Sequence, residues 1–142
     1  MLVVFRVDAS IEIGTGHVMR CLTLADQLMQ FGCSCVFLCR EHEGNLGRLI
    51  VTRGYEIRWL TGLSGKIPGG NNWNAHAAWL GESWEADAEQ TVGALKGYDV
   101  DWLIVDHYAL DSQWERHLSS SVGRLMVIDD LVDRNHSCDL LL

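Results

Sequence analysis

The sequence predicts a parallel α/β sheet covered by helices on both faces, and three observations predict it. Short apolar runs alternate with amphipathic stretches along the 142 residues. Runs such as Leu2–Val7 and Trp102–Val105 are almost continuously apolar, as strands buried on both faces are. Two runs end in acids, Asp106 and Asp129, which a parallel arrangement places together at the carboxyl edge of the sheet, where open α/β folds bind ligands.

Strands are expected at 2–8, 34–39, 55–60, 101–106 and 124–129, and helices at about 17–31, 44–53, 84–97 and 111–120. The first helix has the clearest signature. Val18, Cys21, Leu22, Leu24, Ala25 and Leu28 form an apolar stripe, and Gly32 follows as a C-terminal stop. Thr61 to Asn74 is rich in Gly and Asn, contains Pro68, has no period and reads as a mobile loop carrying Trp73. The final run Cys138–Leu142 reads as the start of another strand, so the architecture looks cut rather than capped.

With 48% hydrophobic residues the chain can bury one sizeable core, consistent with a single Rossmann-like domain over 1–142. Its 19 acids against 11 Lys plus Arg give a net charge of −8. That charge argues against broad attachment to nucleic acid or to an acidic membrane. No apolar run reaches the length of a membrane span or a signal-peptide core, and a cytoplasmic location is expected. Cys33, Cys35 and Cys39 share one face of a strand, about 7 Å apart at two-residue spacing, which suits reduced core thiols better than zinc.

The chemistry concentrates between Asp8 and Arg20. There an apolar strand passes through Gly14 and Gly16 into a helix with His17 and Arg20 at its mouth. The glycines allow a tight turn and close approach of a ligand, and a first helical turn presents N–H groups suited to an anion. A dinucleotide fingerprint fails, because Met19 stands where the third glycine belongs, and a P-loop fails for want of Gly-Lys-Ser/Thr. Asp8 is equally consistent with capping the loop or orienting His17, and Arg20 with a ligand contact or a pair with Asp26. Asp106 and Asp129 are candidates for stabilising positive charge that develops on a substrate, although Asp129 and Asp130 fit turn capping better. Trp59, Trp79, Trp102 and Trp114 are read as packing residues.

Arg6-Val-Asp8, Gly14-Thr-Gly16-His17-Val-Met-Arg20, Asp106-His-Tyr108, Ile128-Asp-Asp130 and His136-Ser-Cys-Asp139, in this order and spacing, resemble the UDP-sugar hydrolases of pseudaminic acid biosynthesis. The resemblance spans nearly the whole chain. It implies the amino-terminal half of a glycosyltransferase-B fold, with a carboxyl-terminal UDP-binding domain absent from the sequence. It further implies a UDP-linked 2,4-diacetamido-2,4,6-trideoxy sugar as substrate, His17 as the base that activates water, Tyr108 at the sugar, and no metal or other cofactor. The substrate-binding set is then Asp8, Gly14, Gly16, Arg20 and Tyr108. Two alternatives stand beside it, a non-catalytic sugar-nucleotide binding or docking module and half of a glycosyltransferase.

Overall fold

The computed structural model describes residues 1–61 and 76–142. Six strands, β1 (Leu2–Val7), β2 (Ser34–Arg40), β3 (Glu56–Leu60), β4 (Trp102–Asp106), β5 (Arg124–Val127) and β6 (Leu140–Leu141), form one sheet in the order β3-β2-β1-β4-β5-β6. Every pairing is parallel. The helices are α1 (Gly16–Gln30), α2 (Gly47–Thr52), α3 (Trp84–Leu95) and α4 (Ser112–Leu118). All the expected strands and helices are present, shifted by a few residues at their ends, and the terminal apolar run does form a strand. A 3₁₀ turn at Ala77–Leu80 was not expected. The Gly- and Asn-rich segment with Trp73 lies outside the described residues.

The pleat of β1 divides the core. Val3, Phe5 and Val7 point to the side where Val18, Leu22 and Ala25 of α1 and Ile50 of α2 pack. Val4 points to the other side, with Ala88 of α3, Trp114 and Leu118 of α4 and Leu80 of the 3₁₀ turn. Cys35 and Cys39 are buried in the first layer and Cys33 packs against it, so the three thiols share a face as expected. All five cysteines are free, and burial pushes the Cys35 thiol up to about 11. Among the described residues no helix is long and apolar enough to cross a membrane.

Strand order reverses between β1 and β4, the switch point at which such sheets open a crevice. Their register sets Val7 against Asp106, so the β1–α1 loop and the residues after β4 share that crevice. One glycine, at the start of α2, is dictated by packing. A Cβ on Gly47 would lie 2.4 Å from Cζ2 of Trp59. Gly47→Ala is therefore expected to destabilise the fold by about 1–3 kcal/mol. A urea midpoint unchanged from the parent protein would contradict this.

Candidate active site

His17 is the second residue of α1 and is nearly buried, with its ring held from both sides. Its Nδ1 lies 2.6 Å from Oδ1 of Asp106, the last residue of β4. Burial pushes the Asp106 carboxyl up, but its bonds to Arg20 and His17 outweigh that and hold it below the usual carboxylate range. An ionised carboxylate only accepts, so Nδ1 carries the proton of this contact, and Asp106 favours the tautomer whose lone pair is on Nε2. Arg20 Nη2 is 3.2 Å from the same Nδ1, but two N–H donors do not bond to each other. Tyr108 closes the other side, its ring meeting that of His17 edge-on at 4.4 Å.

Arg20, one turn along α1, does not pair with Asp26. Nε and Nη2 bind the two oxygens of Asp106 at 2.5 and 2.6 Å, and Nη1 binds Asp130 at 3.1 Å. Asp26 instead holds Arg53 and Tyr55. Asp130 also accepts the Tyr108 hydroxyl at 2.6 Å. His17, Asp106, Arg20, Asp130 and Tyr108 thus form one connected set across α1, β4 and the turn after β5. Asp129 caps that turn, accepting the N–H groups of Leu131 and Val132, and binds Arg134 at 2.7 Å.

Gly14, at φ +79, and Gly16 complete the mouth, and a Cβ on either would meet nothing within 4 Å. Gly14 donates its N–H to the Ser10 carbonyl at 2.8 Å, which folds the loop back on itself. Among the described residues no side chain caps the start of α1, whereas Ser83 caps α3 and Asp111 caps α4. The amide groups beside His17 are left for water or a ligand.

Asp8 departs from its expected place. It is completely buried and points away from His17, toward the α3 side of the sheet. Arg6 Nη1 is 2.7 Å from it, the Arg40 backbone N–H donates to it at 2.6 Å, and His107 Nε2 stands 3.2 Å away. The cause is the two-residue alternation of β1, in which Arg6 and Asp8 share the face opposite Val3, Phe5 and Val7. His107 accepts the Ala109 N–H on Nδ1 at 3.0 Å, so its proton is on Nε2, facing Asp8. Burial lowers the His107 pKa and keeps the ring neutral, a structural group.

Trp114 is fully buried and Trp59 and Trp102 pack against the core, as read from sequence. Trp79 does not. The 3₁₀ turn carries it and His76 to the site, with ring centroids 4.4 Å apart, and both rings approach Tyr108, at 6.1 and 5.4 Å. No sequence period marked this turn. The pairing of Asp106 with His17 was legible only as an acid at a strand end.

The comparisons with known proteins bear on this arrangement. No family model matches the chain. Over its whole length it is 27% identical to the UDP-2,4-diacetamido-2,4,6-trideoxy-β-L-altropyranose hydrolase of Campylobacter jejuni. The chain spans about two fifths of the hydrolase's length, 41%. Among solved structures it superposes on MurG of Acinetobacter baumannii with a TM-score of 0.57 and 17% identity, covering 89% of this chain and 34% of MurG. That likeness concerns the fold alone, a Rossmann-like α/β half of a glycosyltransferase-B architecture, as the sequence implied.

Proposed function

We propose that the chain is the amino-terminal domain of a hydrolase that releases UDP from a UDP-linked diacetamido-trideoxy sugar, with a carboxyl-terminal domain holding most of the UDP. The observation that carries this reading is the His17–Asp106 pair at the sheet's switch point, which engages Nδ1 and leaves Nε2 as the ring's other nitrogen, in a site with an open glycine loop. In the reaction, water attacks the anomeric carbon while His17 Nε2 takes its proton. The bond from that carbon to the UDP oxygen breaks, and UDP leaves with the electron pair. UDP is already a good leaving group, so the demanding task is aligning water. A base whose tautomer and orientation are set by Asp106, itself gripped by Arg20, performs it. On this reading Arg20 is a positioning group, Gly14, Gly16 and Tyr108 face the substrate, and Asp8, expected at the substrate, belongs instead to the buried Arg6 network.

The test is hydrolysis in ¹⁸O-water with the full-length protein, followed by phosphorus NMR. Label in the sugar and none in UDP is expected. Label in the UDP β-phosphate would place attack at phosphorus and end the proposed mechanism, and release of UDP only with a hydroxyl acceptor would mark a transferase. Asp106→Asn is expected to lower kcat by about 10²-fold or more, because the amide can present N–H to Nδ1 and favour the wrong tautomer. The double variant with His17→Ala should be no slower than His17→Ala alone, since the two residues act as one unit. Additive losses would separate them.

The alternative of a docking module draws on one feature, an apolar recess of about 170 Å³ lined by Leu24, Leu28, Trp102, Ile104, Met126 and Leu140 among others. It lies toward the amino ends of β1 and β4, away from His17, and does not close the site.

A further inference from the structure

The connection between β5 and β6 carries a cluster of buried charge that the reaction above does not use. Leu131, Val132, Asp133, Asn135 and Ser137 are exposed, yet the side chains of Asp129, Arg134 and His136 are almost completely buried. His136 is the centre of the cluster. Its Nδ1 lies 2.6 Å from Oε1 of Glu115, a fully buried residue of α4, and its Nε2 lies 3.1 Å from Oδ2 of Asp129. Only an imidazolium donates to both carboxylates at once. The neighbouring backbone is fastened to the same helix, since Ser137 donates its N–H to Glu115 and the Asn135 carbonyl accepts the N–H of Ser112 at 2.9 Å.

This anchoring ends on the residues around His17. Asp129, held by His136 and Arg134, accepts the N–H groups of Leu131 and Val132 and folds the chain into a turn in which Val132 takes φ +55. Left-handed backbone is costly for a β-branched side chain, and among the described residues no other non-glycine residue has a positive φ. The turn aims Asp130, whose carboxylate takes the Tyr108 hydroxyl at 2.6 Å and Arg20 Nη1 at 3.1 Å. Further along, Arg134 places its guanidinium 5.5 Å from the centre of the Tyr108 ring. Tyr108 and Arg20 are in turn the neighbours of His17 and Asp106. A segment that only joined β5 to β6 would relax at Val132. This one is held strained by its anchors while Asp130 stays on the His17 set.

We infer that His136 is a positioning residue for the reaction proposed above: by pinning the Asp129 turn to α4 it keeps Asp130 on Tyr108 and Arg20, and through them fixes the direction of the His17 ring. The inference rests on the hydrolase reading for its kinetic consequence and on the contacts alone for its structural one.

Two measurements on the full-length protein test these separately. Asp130 is exposed, so Asp130→Ala leaves the fold intact and serves as the reference for His136→Gln, whose amide donates from one nitrogen only. Each variant should lower kcat for UDP release by about tenfold or more with KM within about threefold, because a misdirected base weakens the transition state rather than binding. The double variant should be within twofold of the slower single one, since both changes break the same chain of contacts. Parental kcat in His136→Gln, or losses that multiply in the double variant, would overturn the inference. The second measurement needs no turnover. The ¹H–¹³C ring signals of His17, identified by their loss in His17→Ala, should move in both variants while far-UV circular dichroism matches the parent. His17 signals unmoved in His136→Gln would overturn the inference whatever the activity. Signals displaced in both variants of a protein that hydrolyses nothing would uphold the positioning and remove the hydrolase reading.

Discussion

Replacing His17 by alanine in the full-length protein is expected to lower kcat by about 10²–10⁴-fold, the usual span for loss of a positioned general base, while UDP affinity stays within about twofold. The asymmetry follows from where the ring's bonds go. Nδ1 is spent on Asp106, and Nε2 has no hydrogen-bond partner among the described residues. UDP gains nothing from that atom until water must be deprotonated. A fold defect is not expected to mimic the effect, because Arg20 keeps Asp106 bonded through two nitrogens after the imidazole is gone. Turnover by His17→Ala within threefold of the parent, measured as UDP release, would remove His17 from the mechanism.

The largest effect on stability is expected at Asp87, which catalysis does not use. Its carboxylate is fully buried and accepts from Arg6 at 3.2 and 2.7 Å, from Arg40 at 2.7 Å and from the Trp114 indole at 3.0 Å. With Asp8 it neutralises two guanidinium groups that have almost no contact with water. Asp87→Asn keeps the shape and removes the charge, leaving a buried cation uncompensated at a cost of about 3–5 kcal/mol. At roughly 2–4 °C per kcal/mol for a domain of this size, the melting temperature should fall by about 6–20 °C. A fall of less than 2 °C would contradict the assignment.

The same network sets an acid limit. Burial alone would raise the carboxyls of Asp8 and Asp87, but the charge of Arg6 and the hydrogen bonds around them hold both below the ordinary value. A carboxyl depressed in the folded state favours folding above its unfolded pKa, near 4, and that stabilisation is lost as pH falls toward the folded value. Unfolding free energy should therefore be flat from these groups between pH 5 and 7 and decline below about pH 4. In Asp87→Asn the decline should be shallower, since one of its sources is gone. An unchanged acid slope in chemical denaturation at stepped pH would count against the network as its origin.

Much of the architecture was legible in one dimension because its causes are local. Buried parallel strands need unbroken apolar runs, and Val3–Phe5 and Leu103–Val105 supply them. The stripe from Val18 to Leu28 fixes which side of α1 faces the sheet. Gly14 and Gly16 mark a loop that must turn tightly, so the place of the site was readable as well. The 3₁₀ turn was not, since four residues carry no measurable period and Trp79 has the composition of a core residue.

What the sequence by itself determined is the sheet, its helices, the crevice at its carboxyl edge and His17 at the mouth, because strand and helix patterns are written in neighbouring residues. What only the tertiary structure decided is which carboxylate serves His17. Asp8 is nine positions from it in the chain and Asp106 is 89 away, yet the pleat of β1 turns Asp8 with Arg6 toward α3. The β1–β4 register places Asp106 beside Val7, on the α1 side. Pairing across strands follows from register and parity, which are properties of the assembled sheet rather than of any one segment.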